Sequence, residues 1–241
     1  MKIETKQKPI AELLKFSIIN IDKPSGPTSF QVSQFIKNAL EIKKTSHFGT
    51  LDPNTSGVLP IALSRACRLN EYFMHKDKEY VGIMRLHEEI SQEKLKEEMA
   101  NFTGIISQLP PVRSRVKRAF REREIKKFEI LEKDNKDVLF IAEVEAGTYI
   151  RKLISDLGEK IGGAHMLELR RTKASIFEEK DSTNLYDFEK AAEEYEKGNE
   201  ELLKKILIPA QDALKKVMGF VEENIAPGLL KQLLTGKPLM K

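Results

Sequence analysis

The 241-residue sequence predicts an α+β fold, and three observations carry that prediction. Strand-like and helix-like segments interleave at irregular spacing, without the regular alternation of a doubly wound parallel sheet. Several of the strand-like segments read as antiparallel neighbours, and neither a repeat nor a low-complexity linker interrupts residues 15–215. With 40% hydrophobic and 32% charged residues, the chain can fill a core and still carry a heavily charged surface.

The elements follow in order. Ser17–Asp22 reads as a short strand, ended by the turn Lys23-Pro24-Ser25-Gly26-Pro27. Thr28 or Ser29 then caps a helix whose apolar face carries Val32, Phe35, Ile36 and Leu40. His47–Pro53 is a loop punctuated by glycine and proline, followed by an apolar strand, Val58–Leu63. Arg65–His75 reads as helix, Glu79–Leu86 as strand, and Ser91 caps a charged helix to about Phe102. Strands recur at Lys126–Leu131, Val138–Glu145 and His165–Thr172, and Gly147–Ile161 turns into a helix. An acidic helix from about Leu185 and two short helical pieces after Pro209 complete the pattern.

Composition excludes several classes. No apolar run approaches the length of a membrane span, and the N-terminus lacks the apolar stretch of a secretory signal. Cys67 is the single cysteine, so no intrachain disulfide forms and a reducing, cytoplasmic location fits. Its position on an amphipathic helix makes it a buried, inert thiol. The four histidines are scattered, without structural-zinc spacing, and His75, His87 and His165 show no partner pattern. Neither GxxxxGK[ST] nor GxGxxG is present, which argues against nucleotide-driven or dinucleotide chemistry. Net charge is only +4, but its distribution is uneven. Arg113 to Lys127 holds eight Lys/Arg against Glu122 and Glu124, and Asp187 to Glu201 holds seven acids against two lysines. Such asymmetry suits a polyanion-binding face, and equally a solvated loop and strand edge.

Candidate chemistry concentrates in a few places. In His47-Phe48-Gly49-Thr50-Leu51-Asp52-Pro53, glycines at 49 and 57 flank a tight loop, and Pro53 stiffens the backbone just after Asp52. That arrangement can hold one carboxylate at the mouth of a sheet, although the same residues also suit an ordinary turn. In Gly147-Thr148-Tyr149-Ile150-Arg151, Arg151 falls in a first helical turn, where a guanidinium can pair with a carboxylate on a neighbouring element. Tyr80 opens a strand and offers a ring for a base to stack on, or simply fills the core. Pro110 and Pro111 stiffen the approach to Arg113, Lys117, Arg118 and Arg121, which suits a rim contacting phosphates. His47 stacks on RNA or supports the loop. An Asp, an Arg and a Tyr without a histidine base resemble neither a hydrolase triad nor a metal site.

Taken in order, these segments resemble the TruB-type pseudouridine synthase family. The likeness rests on Asn20-Ile21-Asp22-Lys23-Pro24-Ser25-Gly26-Pro27-Thr28-Ser29, Gly49-Thr50-Leu51-Asp52-Pro53, Lys78-Glu79-Tyr80, Gly147-Thr148-Tyr149-Ile150-Arg151 and Leu169-Arg170-Arg171-Thr172. Met84-Arg85-Leu86-His87, the segment Pro110–Arg118 and Ala164–Thr172 resemble the archaeal and eukaryotic dyskerin-like branch more than the bacterial tRNA enzyme. The resemblance implies a mixed, mainly antiparallel sheet, with Asp52 as the reacting carboxylate beside Arg151. It also implies Tyr80 stacked on an everted uracil, Leu169 in the apolar wall, and Lys23, His47 and Tyr149 on the substrate side. No cofactor or metal is implied. The partners implied are a box H/ACA guide RNA, an rRNA or tRNA substrate, and H/ACA proteins. A stand-alone enzyme for the T-loop of tRNA and a non-catalytic RNA-binding scaffold are the alternatives. The expected domain spans 15–228, with 229–241 a remnant where a PUA domain normally begins. Phe48 departs from the small residue usual after His47, and is expected to alter the loop's contact with RNA.

Overall fold

The computed structural model of the chain describes residues 8–111 and 116–218, together with Leu229, Gln232 and Thr235. Arg113, the second helical piece expected after Pro209 and nearly all of the 229–241 remnant lie outside the described residues.

A short helix α1 (Ile10–Leu13) leads into strand β1 (Ser17–Lys23). Helix α2 (Ser29–Ala39) starts on a capping box, in which the Thr28 hydroxyl accepts from Gln31 N at 3.1 Å and Gln31 Oε1 accepts from Thr28 N at 2.8 Å. Strand β2 (Thr45–His47) and the loop after it precede β3 (Ser56–Leu63). The segment expected as one helix over Arg65–His75 divides into a 3-10 turn, Ser64–Leu69, and α3 (Asn70–Met74). Strand β4 (Lys78–Leu86) is followed by α4 (Gln92–Ala100), capped by Ser91, and by β5 (Gly104–Gln108). Then come the hairpin β6 (Arg121–Asp134) and β7 (Asp137–Val144), α5 (Ile150–Lys160) and β8 (Ala164–Ala174). Strands β9 (Phe177–Glu178) and β10 (Thr183–Asn184), helices α6 (Leu185–Glu196) and α7 (Glu201–Ile206), β11 (Leu207–Pro209) and α8 (Ala210–Val217) finish the fold.

All strands join one sheet in the order β10-β1-β3-β8-β4-β7-β6-β5, with β11 on β1, β2 on β3 and β9 on β8. The β1–β10 and β3–β8 ladders are parallel and the rest antiparallel, so the mixed, mainly antiparallel α+β expectation holds. The centre of the sheet is buried on both faces, which explains the near-continuous apolar runs of β1 and β3. Ile19, Ile21, Leu59 and Ile61 enter the larger core, against Val32 and Ile36 of α2, Leu153 and Leu157 of α5 and Phe188 of α6. Ile18, Val58 and Ala62 enter a smaller core on the other face, with Phe48, Phe73, Phe177 and Ala213.

That second core places Phe48. Its ring is 1% exposed and stacks on Phe73, with centroids 4.6 Å apart, so it anchors the loop from below. Cys67 is buried as expected, its thiol directed at the Ala62 carbonyl.

Candidate active site

The loop between β2 and β3 is pinned on both sides of Asp52. Leu51 N donates to the Ser29 hydroxyl at 2.8 Å, and that hydroxyl donates to Leu51 O at 3.0 Å. Pro53 O accepts from Gly26 N at 2.9 Å and from the Lys23 ammonium at 2.9 Å. Thr55 N donates to Asp52 O at 3.0 Å and closes the turn. With the backbone at 51 and 53 fixed and Leu51 buried, the Asp52 side chain is left facing solvent.

Arg151, in the first turn of α5, meets that carboxylate. Its Nη2 lies 2.8 Å from Asp52 Oδ2, with side chains 60% and 50% exposed. An ion pair this open contributes at most about 1 kcal/mol to stability, so its consequence is the orientation of the carboxylate. Helix α5 has no side-chain cap; its N-cap residue Tyr149 is held instead by the Gln108 amide at the end of β5.

Beneath the loop lies a buried cation that sequence reasoning left without a role. Arg171 is 1% exposed, donating from Nε to Val58 O at 2.8 Å and from Nη2 to Gly49 O at 3.1 Å. One guanidinium therefore ties together the backbone before and after Asp52. Gly57 is required beside it, because a Cβ there would stand 2.2 Å from Arg171 O, and its φ is +102°. Across the sheet, Gly57 pairs with Arg171 and Arg171 with Tyr80, which aligns the three on β3, β8 and β4. Lys78 enters from the same strand as Tyr80, its ammonium held by the carbonyls of Met74 and Lys76. Burial, with the nearby Arg171 charge, pushes its pKa down to about 8 against the pull of Asp77.

The other expected residues fall as follows. Tyr80 is 8% exposed and belongs to the larger core, so little of its ring is open. Leu169, on β8, pairs with Gly82 of β4 and packs, half-buried, against that core. Lys23 departs from its expected contact with substrate. Its side chain is fully buried and its ammonium donates to Pro24 O, Pro27 O and Pro53 O at 2.7, 2.8 and 2.9 Å. Burial lowers its pKa while the Asp52 charge opposes that, and the lysine works by bracing the loop. His47 supports the loop, with Nε2 3.4 Å from the Thr50 hydroxyl; burial and then Arg171 lower its pKa, which favours the neutral ring. Lys117 and Arg118 are exposed, and Arg121 opens β6 with Nη2 3.4 Å from Lys117 O.

Two further arrangements had no signal in the sequence. Arg170 grips Asp22 with both Nη atoms at 3.0 Å and reaches Glu179 from Nε at 2.7 Å, tying β8 to β1. His87 and His165, read as unpartnered, face each other with 3.0 Å between Nε2 and Nδ1. Among the described residues no group of three or more His, Cys, Asp or Glu is arranged to hold a metal ion, and no helix is long and apolar enough to cross a membrane.

Comparison with known proteins identifies the family. Residues 37–93 match the family model described as TruB family pseudouridylate synthase (N terminal domain). Residues 151–215 match that of the tRNA pseudouridylate synthase B C-terminal domain, and residues 4–33 match the DKCLD (NUC011) domain. A probable tRNA pseudouridine synthase B of Nanoarchaeum equitans is 45% identical over 210 residues, 86% of this chain and 60% of that protein. A crystal structure of a Cbf5-Nop10-Gar1 complex contains a chain with 43% identity and a TM-score of 0.83, covering 87% of this chain and 65% of that one. In a structure of an H/ACA RNP bound to a substrate RNA containing 2′-deoxyuridine, the corresponding figures are 41%, 0.80, 87% and 64%. The chain thus spans less than two thirds of each of these relatives. On these matches, the chain belongs to the TruB family of pseudouridine synthases, on its archaeal, Cbf5-like side.

Proposed function

We propose that the chain isomerises uridine to pseudouridine in structured RNA, with Asp52 as the reacting carboxylate. The observation that carries the reading is the 2.8 Å contact of Arg151 with Asp52, made in the open on a loop whose flanking backbone is fixed. A stacked uridine cannot reach such a carboxylate, so the nucleotide must first swing out, at a cost of a few kcal/mol that is smallest at unpaired positions. The N1–C1′ bond then breaks, the uracil turns, and C5 bonds to C1′. N1 gains a proton and C5 loses one, with Tyr80 or a water as the carrier, so every heavy atom of the substrate remains in the product and no co-substrate is required. Asp52 acts either as nucleophile or as base at the ribose, and Arg151 orients its charge.

The remaining residues take places around this pair. Tyr80 forms the floor on which the base rests, and Leu169 the apolar wall. His47 and Tyr149 flank the substrate through the loop and the start of α5. Lys117, Arg118 and Arg121, with Arg113, contact phosphates along the rim. We assign residues 15–228 to the catalytic domain and a cytoplasmic location to the reaction.

Delivery of substrate by a box H/ACA guide RNA with H/ACA proteins is the favoured reading, supported by the likeness to the Cbf5 chains. A stand-alone action on tRNA is the second, favoured by the names of curated archaeal relatives. Chemical mapping of pseudouridine in tRNA and rRNA fragments separates them. Modification only when guide RNA and partner proteins are present supports the first reading; modification of tRNA by the chain alone supports the second. No pseudouridine under either condition overturns both.

A further inference from the structure

Gln108 is a buried amide whose polar atoms are both spent on one residue. It closes β5, is 2% exposed, and accepts from Tyr149 N at 2.8 Å while its Nε2 donates to Tyr149 O at 3.2 Å. An amide left unpaired at such a depth would be costly, so the two bonds hold each other in place. Tyr149 is the N-cap residue of α5, and its carbonyl also accepts the first helical hydrogen bond, from Leu153 N at 2.9 Å. A single hydrogen bond lets a helix end pivot, whereas bonds to the N–H and the C=O of one residue, on two successive peptide units, fix both its position and its direction. Two residues further on, Arg151 reaches Asp52. That ion pair is half-exposed on both sides and is too weak to locate the helix by itself.

We propose that Gln108 is a positioning residue for the reaction, setting the guanidinium of Arg151 against the Asp52 carboxylate by clamping the start of α5. The inference rests on the reading of Asp52 and Arg151 as the reacting pair. It also gives the edge strand β5 a purpose. Gln108 is the last residue of that strand.

The test is a double-mutant cycle in single-turnover pseudouridine formation, with RNA affinity measured in parallel. Gln108→Met keeps the length of the side chain and removes both bonds. It is expected to slow the chemical step about tenfold to a hundredfold, since displacement near 1 Å has that effect. RNA affinity should change less than about twofold, because no phosphate contact is removed. In an Arg151→Met background the same substitution should change the residual rate by less than about threefold, because the effect passes through Arg151. An unchanged rate, or an equal loss in both backgrounds, overturns the proposal. Should Gln108→Met fail to fold, Gln108→Glu carries the same comparison, since it keeps the acceptor for Tyr149 N and loses only the donor. Loss of activity in Asp52→Asn with an indifferent Gln108→Met removes the positioning role alone; an active Asp52→Asn removes the reading beneath it.

Discussion

Lys78 shows how residues under the site are set by their surroundings. Its folded pKa of about 8 lies below the ordinary 10.5, mainly because the ammonium is buried. Between those values the unfolded chain keeps the proton and the folded chain does not, so stability rises with pH across that window. Relative to Lys78→Met, the wild-type protein should gain on the order of 3 kcal/mol between pH 7.5 and 10.5. Urea midpoints of the two proteins at both ends check this, and a constant difference would contradict it. Residue by residue, legibility depended on local chemistry. Asp52 stood out because Gly49, Pro53 and Gly57 mark a tight loop. Arg171 did not, because an arginine on a strand reads as exposed, and two carbonyls distant in sequence, Val58 O and Gly49 O, are what satisfy it when buried. The burial of Phe48 went unread for the complementary reason: beside polar loop residues nothing signals the aromatic stack below it.

At the scale of elements, α2 was legible from its cap candidates Thr28 and Ser29, of which Thr28 is the cap and forms a capping box with Gln31, and α4 was legible because Ser91 caps it. Strand β5 escaped notice, since Gly104–Gln108 offers two adjacent isoleucines and no sustained alternation, and its pairing with β6 is what makes it a strand. The start of β6 was placed late because Arg121–Glu124 alternates charge with charge instead of polar with apolar. Arg121, at the start of that strand, belongs to the proposed RNA rim with Lys117 and Arg118. Replacing Arg118 and Arg121 together by Ala should weaken RNA binding across sequences and reduce the slope of log K against log salt by about 1 to 2. Filter binding over a range of salt measures this; an unchanged slope moves the RNA face elsewhere.

The whole molecule brings Asp52 and Arg151, ninety-nine residues apart in sequence, into one ion pair. Asp52 hangs from the β2–β3 loop, Tyr80 sits on β4, and Arg151 follows β7, while the parallel contact of β3 with β8 joins strands more than a hundred residues apart in sequence. Period and composition cannot reveal such a pairing, and the ordered set of motifs implied only the mixed, mainly antiparallel character of the sheet. The central claim is that the carboxylate at position 52 drives the exchange of N1 for C5 at the ribose. The most direct measurement is tritium release from RNA labelled at uridine C5, under single turnover, for the wild-type protein and Asp52→Asn bound to the same RNA. Stoichiometric release by the wild type and none by the variant, at equal affinity, is the predicted result. Equal release by both proteins would contradict it.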